Sequence, residues 1–243
     1  MHVLGIDIGG SSLKGAPVDL ATGQLLAPRH RIPTPQLLSP QEMASRVREM
    51  AEHFQWKGAI GCGFPGAVRE GVVSFLGNLD QSFVGVDVAQ LFTEATRCPV
   101  SVINDADAAG LAEVRFGAGL GRHGSVLMLT FGTGVGSGLF LDGRLVPNTE
   151  FGHVPLHGGA AERWVAASVK DAENLSYSEW VGRLNEYLRL LAVLLNPNLI
   201  ILGGGISADH ADWFKLIDVP VEVVPARFLN EAGIVGSALA AER

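Results

Sequence analysis

A chain of 243 residues with 47% apolar and 18% charged side chains can build one large globular core or two small ones. Lys+Arg of 18 against Asp+Glu of 25 leaves a net charge of −7, which argues against a nucleic-acid binder but not against an anionic substrate held by backbone amides. No run of about 18 apolar residues reads as a membrane span. The N-terminus lacks signal-peptide grammar, and Cys62 and Cys98 form no C-x-x-C pair, so both read as reduced core residues of a cytosolic protein.

Val3 to Ile8 reads as a buried strand ending around Asp7, Gly9 and Gly10; a polar turn through Ser11 and Ser12 leads to a second strand at Ala16 to Leu20. A third strand is expected over Gln24 to Ile32. Asp7, at a buried strand's end, is either a turn cap or a carboxylate for a metal ion. Lys14 is either a phosphate-facing ammonium or a solvated strand residue. After Pro33-Thr34-Pro35, Ser39-Pro40-Gln41-Glu42 has the grammar of a capping box with proline at the first helical position. Met43, Val47, Met50, Ala51 and Phe54 give that helix an apolar stripe. Strands are expected at Ala59 to Phe64 and Val68 to Phe75, the latter with a turn at Arg69-Glu70-Gly71. Asn78, in the polar loop that follows, is a candidate hydrogen-bonding residue.

A helix over Val86 to Arg97 and a strand over Pro99 to Ile103 bring the chain to Asn104-Asp105, ahead of an Ala-rich helix reaching Phe116. The carboxyl ends of strands are where open α/β sheets hold ligands. Asp105 has three readings there: helix N-cap, general base for a hydroxyl proton, or oxygen ligand for Mg²⁺; Asp107 can share the capping. Beyond a glycine-rich loop with Arg122 and His123, Leu127 to Phe140 reads as strand, glycine turn, strand. Gly132, Gly134, Gly136 and Gly138 permit positive φ and let an anion approach bare N–H groups, while Thr130, Thr133 and Ser137 add hydroxyls. The turn is a candidate phosphoryl cradle, with an ordinary glycine hairpin as the alternative. It shares its grammar with Gly9-Gly10-Ser11-Ser12, which suggests a duplicated supersecondary unit and two related domains facing a shared cleft.

Leu145-Val146 is a short strand. Glu150 and His153 then stand three residues apart in a glycine-containing loop, suited to bind metal, polarise one another or grip sugar hydroxyls. Helices are expected over Ala160 to Lys170, carrying Glu162, and over Ser178 to Leu195. A strand at Leu199 to Leu202 leads into Gly203-Gly204-Gly205, where either an adenosine moiety or a tight turn approaches the backbone. A strand at Val219 to Val224 precedes a closing helix, Ala232 to Ala241, whose Gly233 and Gly236 permit close packing.

Taken in order, Gly5-Ile6-Asp7-Ile8-Gly9-Gly10-Ser11, Asn104-Asp105, Thr130-Phe131-Gly132-Thr133-Gly134-Val135-Gly136 and Glu150-Phe151-Gly152-His153 resemble the ROK family of bacterial sugar kinases. Gly203-Gly204-Gly205-Ile206 and Gly233-Ile234-Val235-Gly236 extend the likeness over essentially the whole chain. The stretches from Asn104 to Glu113, Pro147 to His153 and Ala166 to Lys170 are similar to its polyphosphate glucokinase and glucomannokinase branch. The resemblance implies an α/β, actin-like fold of the hexokinase, ribonuclease H-like type. Its two α/β domains, 1–104 (on which 231–243 packs) and 105–230, would flank a cleft. It implies a cytoplasmic homodimer that transfers a phosphoryl group from polyphosphate, ATP or both to the 6-hydroxyl of glucose, with Mg²⁺ and with neither nucleic acid nor membrane as partner.

On this resemblance Asp105 becomes the general base, and Asn78, Asn104, Glu150, His153 and Glu162 become sugar contacts. Gly9, Gly10, Ser11, Lys14, Thr130, Gly132, Thr133 and Gly134 form the phosphate side, with Asp7 near Mg²⁺ directly or through water. Gly203, Gly204 and Gly205 border a nucleotide base or an extended polyphosphate, for which Lys14, Arg122, Arg163 and Lys170 offer cations. Most ROK proteins carry a cysteine-rich zinc loop after the histidine; here His157-Gly158-Gly159 stands there without cysteine, so no zinc is expected. The chain starts directly at its first strand, unlike ROK repressors with their DNA-binding module, and the spacing of Glu162 to Ser168 departs from the usual pattern. The rival readings are an ATP-only kinase for mannose, fructose or an N-acetylhexosamine, an actin-like assembly protein, and a non-catalytic sugar sensor.

Overall fold

The computed structural model describes residues 1–10, 12–34, 38–75 and 80–242; Ser11 and Asn78 lie outside the described residues. The elements in chain order are β1 (His2–Ile8), β2 (Ser12–Asp19), β3 (Gln24–Leu25), β4 (His30–Pro33), α1 (Pro40–His53), β5 (Ile60–Phe64), β6 (Ala67–Arg69), β7 (Val72–Phe75), α2 (Val88–Thr96), β8 (Val100–Asn104) and α3 (Asp105–Phe116). They continue with β9 (Ser125–Phe131), β10 (Val135–Leu141), β11 (Arg144–Val146), β12 (Pro155–Leu156), β13 (Gly159–Ala160), α4 (Glu162–Val165), α5 (Ala167–Ala172), α6 (Tyr177–Leu195), β14 (Leu199–Gly203), α7 (His210–Trp213), β15 (Val223–Pro225) and α8 (Ala232–Ala240). The chain divides into two units: Met1–Ala112 with Glu231–Arg243, and Glu113–Asn230. The division falls inside α3, and α8 belongs with the first unit.

In the first unit the sheet runs β3-β2-β1-β5-β8, with β4 also paired to β2. β1 and β2 are antiparallel with Asp7 opposite Lys14, and β1, β5 and β8 are parallel. Helix α1 starts as its sequence dictates: the Ser39 side chain accepts from Glu42 N–H, and the Glu42 carboxylate accepts back from Ser39. Its Met43, Val47 and Met50 are buried with Leu4, Ile6, Ile60 and Phe64. On α8, Ile234, Val235 and Ala238 are fully buried, and the helix lies so close to the sheet that a Cβ on Gly5 would meet the Ile234 backbone and one on Gly61 the Ser237 backbone. A Cβ on Gly236 would in turn strike the Ala108 carbonyl of α3. Small residues on both sides of a contact let backbones touch, which fixes α8 against β1, β5 and α3.

The second unit repeats this plan: its sheet runs β11-β10-β9-β14-β15, with β9 antiparallel to β10 and parallel to β14. Its five strands match β3-β2-β1-β5-β8 in order and direction, with no counterpart of β4, so the duplication read from the two glycine turns is present in the topology. Helix α6, capped by Ser176 and Glu179, buries Trp180, Leu184, Leu188 and Leu191 with Leu127, Leu129, Ile200 and Leu202. The Trp180 ring meets Phe131 and Trp213 edge-on, at 6.0 and 5.1 Å between centroids.

Three expected elements come out differently. The strand expected over 24–32 is two short strands, β3 and β4. Leu26 still donates to the Pro17 carbonyl, but Pro28 has no N–H with which to continue a ladder. The helix expected over 160–170 is broken at Ala166, whose ψ of 153° is extended, because Ser168 N–H is drawn to the Gly132 carbonyl at 3.1 Å. The strand expected from Val219 begins only at Val223, past Pro220. Among the described residues no helix is long and apolar enough to cross a membrane.

Glu113, the first residue of the second unit, is fully buried on α3. One carboxylate oxygen accepts from Arg227 and Phe228 N–H at 2.8 and 2.7 Å, and the other from Ala118 N–H at 2.8 Å. It joins residues from both ends of that unit. Glu113→Ala would leave three part-buried N–H donors without their charged acceptor, so we expect a loss of about 3 kcal/mol and a thermal midpoint lower by roughly 6–12 °C. A drop below about 2 °C by circular dichroism would contradict this role.

Candidate active site

Strand β8 ends at Asn104, and α3 begins at the next residue. The buried Asn104 side chain caps the helix: its Oδ1 accepts from Ala106 and Asp107 N–H, both at 2.9 Å, while its Nδ2 donates to the Gly66 carbonyl at 3.2 Å. The capping expected of Asp105 and Asp107 therefore falls mainly to Asn104. Asp105 is half-buried and adds one bond of its own, accepting from Ala106 N–H at 2.8 Å. Gly63 of β5 makes room for this corner, since a Cβ there would stand 2.8 Å from Ser237 Oγ and 3.5 Å from Asp105 Cα.

Asp7 lies near the end of β1, parallel to β8, so Asp7 and Asp105 share the carboxyl edge of one sheet. Lys14 Nζ stands 3.9 Å from Asp7 Oδ2. Burial raises the Asp7 carboxyl above the usual carboxylate range, and the Lys14 charge pulls it partly back. Behind it Gly233 of α8 packs so tightly that a Cβ would lie 2.7 Å from Asp7 Cγ.

In the second unit the turn between β9 and β10 is closed by Gly132 N–H donating to the Gly134 carbonyl at 3.0 Å. Positive φ was expected of its glycines, but Gly132 does not adopt it, and neither do Gly9 and Gly10 of the first hairpin. Gly10 and Gly132 keep the other property expected of them, open approach: beyond the chain neighbours, a Cβ on either would meet no atom of the described residues within 4 Å. Ser168 holds the turn from α5, through its amide to Gly132 and its hydroxyl to the Thr133 carbonyl at 2.6 Å. Ser137, expected to offer a hydroxyl to the turn's ligand, is buried and committed elsewhere. Its Oγ donates to the Thr149 carbonyl and accepts from Phe151 N–H, which shapes the loop carrying Glu150 and His153.

That loop and α4 bring together a histidine between two carboxylates. His153 Nδ1 is 3.8 Å from Glu150 Oε2, and Nε2 is 3.9 Å from Glu162 Oε1. The other Glu162 oxygen accepts from Val135 N–H at 3.3 Å, tying it to the exit of the glycine turn. Burial raises the Glu150 carboxyl; His153 opposes the shift and Glu162 adds to it. Half-buried acceptors beside an imidazole suit a molecule with several hydroxyls.

Elsewhere the candidates divide. Gly203 and Gly204 are approached by the protein itself: a Cβ on the first would meet Met128 and Ala226, and one on the second the Phe131 backbone, with φ of 85° at Gly204. Gly205 faces open space. Arg122 makes a two-pronged pair with Glu222, and Lys170 lies 4.6 Å above the Tyr177 ring and 3.6 Å from Asp171. In the sequence Ser168 serves only as a spacing mark and carries no assigned role, because its partners are carbonyls more than thirty residues away. Among the described residues no group of three or more His, Cys, Asp or Glu side chains is arranged to hold a metal ion.

The family model described as "ROK family" matches residues 3–173. A polyphosphate glucokinase of Mycobacterium tuberculosis (strain CDC 1551 / Oshkosh) is 43% identical over 240 residues, covering 98% of this chain and 91% of that protein. The crystal structure of an inorganic polyphosphate/ATP-glucomannokinase from Arthrobacter sp. strain KM superposes with a TM-score of 0.96 at 41% identity, covering 99% of this chain and 98% of that one. A ROK family glucokinase from Streptomyces griseus, in complex with glucose and AMPPNP, shares the fold with a TM-score of 0.84 at 24% identity, covering 100% and 99% of the two chains.

The Glu150 shift sets a pH dependence of stability. A carboxyl raised on folding stabilises fully below its unfolded range, and that contribution is lost as pH rises through the folded value. Glu150→Gln should therefore raise the thermal midpoint at pH 8 by about 1–3 °C, with the gain vanishing near pH 4. An equal gain at both values would contradict the burial argument.

Proposed function

The chain belongs to the ROK family, and we propose that it is a hexokinase which transfers a phosphoryl group from inorganic polyphosphate or ATP to the 6-hydroxyl of glucose. The near-full-length likeness to a polyphosphate glucokinase carries this reading. Its fold is the actin-like α/β fold of the ROK sugar kinases.

Asp105 accepts the proton of the 6-hydroxyl as that oxygen attacks phosphorus; the bond from phosphorus to the donor's bridging oxygen breaks, and the shortened donor leaves with its charge. Such a transfer needs positioning and charge stabilisation more than covalent help. Asn104 serves Asp105 by position, since three hydrogen bonds already engage its amide and one N–H remains for the sugar. Glu150, His153 and Glu162 hold sugar hydroxyls, and the resemblance adds Asn78 to them. The backbone at Gly9, Gly10, Gly132 and Gly134, with Ser11, Thr130, Thr133 and the Lys14 ammonium, holds phosphate oxygens. Gly205 is the open position at the third glycine run, where the donor's distal end passes.

Asp7 fits Mg²⁺ as a single carboxylate, 21% exposed at the carboxyl edge of the sheet, since this ion takes one or two protein carboxylates and fills its shell with phosphate oxygens and water. When bound, the ion neutralises charge on the donor phosphates. The reading also takes the enzyme to be a cytoplasmic homodimer; the exposed Val193 and Leu194 at the end of α6 are suited to a subunit contact.

Asp105→Asn should fold, bind glucose in calorimetry with little change, and lose about 10²–10⁴-fold in kcat. A kcat within about tenfold of wild type would remove Asp105 from the role of base. Gly132→Ala separates cradle from scaffold. With open space at that position its thermal midpoint should move by less than about 2 °C, while kcat/KM for either donor falls more than about tenfold. Unchanged donor use would take the phosphate away from this turn.

A further inference from the structure

His153 and Glu162 are joined by a two-stranded sheet, β12 paired with β13. Its two residue pairs, Pro155 with Ala160 and Leu156 with Gly159, are too few to hold a hairpin by themselves. The connecting residues are His157 and Gly158, with φ of 50° and 78°. A two-residue turn with both φ positive favours Asn-Gly or Gly-Gly, so histidine at the first position is not what turn chemistry alone selects.

The imidazole reaches the neighbouring helix. His157 Nε2 lies 2.8 Å from Glu186 Oε1 of α6, and this hydrogen bond is the main cause that holds the Glu186 carboxyl below its usual range. The His157 ring also sits 4.8 Å from the Trp164 ring of α4. One turn earlier on α6, the Arg183 guanidinium lies 3.8 Å from the centroid of that Trp164 ring. It also donates to the Trp164 carbonyl at 3.4 Å and to Glu173 at 2.6 Å. Nearer the start of α6, the buried Trp180 indole donates to the Val165 carbonyl at 2.9 Å, so α6 also grips α4, the helix that begins at Glu162. Helix α6 thus holds the hairpin tip at one end and the helix carrying Glu162 at the other.

The pair adds little to stability: His157 and Glu186 side chains are 50% and 46% exposed, where an ion pair contributes about 0–1 kcal/mol. Its effect is geometric. We propose that His157 and Glu186 are positioning residues for sugar binding, whose contact keeps the β12–β13 hairpin seated on α6 and so keeps Glu150, His153 and Glu162 at the spacing that grips the hexose. Neither touches the reacting atoms. The inference rests on the sugar-binding role given above to those three residues.

The test is steady-state kinetics with glucose on His157→Asn, which suits the turn but drops the contact, on Glu186→Ala, and on the double variant. Each single substitution should raise KM for glucose about tenfold, leave kcat and the donor KM within about twofold, and shift the thermal midpoint by less than about 2 °C. The double variant should resemble the singles within about twofold, because all three lose one contact. Glu186→Gln, which keeps an acceptor for the imidazole N–H, should recover most of the loss. Glucose KM within about twofold of wild type in both singles would overturn the inference, as would donor KM rising in step or effects that multiply in the double variant. A wild-type protein that phosphorylates no hexose would instead overturn the kinase reading on which the inference stands.

Discussion

The contact on which the first unit depends is backbone against backbone, where α8 rests on β1 and β5. It exists because Gly5 and Gly61 on the sheet present no side chain to the helix. The same helix offers Gly233 to Asp7 and Gly236 to the Ala108 carbonyl of α3, the helix that begins at Asp105. Residues from the last part of the chain therefore set where two carboxylates from the first half stand. A methyl group at Gly5, Gly61 or Gly236 would need the backbone to move, and one at Gly233 would strike the Asp7 carboxylate itself. Apolar burial of Ile234, Val235 and Ala238 supplies the attraction, and the absent side chains supply the accuracy.

The second unit solves the same problem with hydrogen bonds. Its glycine turn is fixed from outside by Ser168, and its acidic loop by Ser137, each through bonds to backbone groups. Glu162 has one oxygen on the Val135 amide and the other near His153, so turn and loop cannot move independently. Fixed acceptors and donors are what phosphoryl transfer asks of a protein, since the chemistry gains from charges already in place.

Much of this was legible in the sequence because its signals are local. The capping box at Ser39 and Glu42, the apolar stripes of α1 and α6, the strand ends at Asp7 and Asn104 and the paired glycine turns all follow from residues close together in the chain. Three things were not legible. Which residue caps α3 depends on a side chain turning back from the strand, and Asn104 takes that place ahead of Asp105. The break at Ala166 depends on a carbonyl at Gly132, which no local pattern announces. And whether the turn glycines serve through positive φ or through open approach, both of which were expected, is not written in the sequence; at Gly10 and Gly132 it is the open approach.

The proposed transfer of a phosphoryl group to the 6-hydroxyl of glucose, with Asp105 taking its proton, rests on products that can be observed. It is tested most directly by incubating the protein with glucose and Mg²⁺, in parallel with ATP and with inorganic polyphosphate, and following the products by phosphorus NMR. A phosphomonoester on carbon 6 of glucose is expected, with polyphosphate alone sufficient as donor. Donor consumed without a sugar phosphomonoester, or no turnover with either donor, would contradict it.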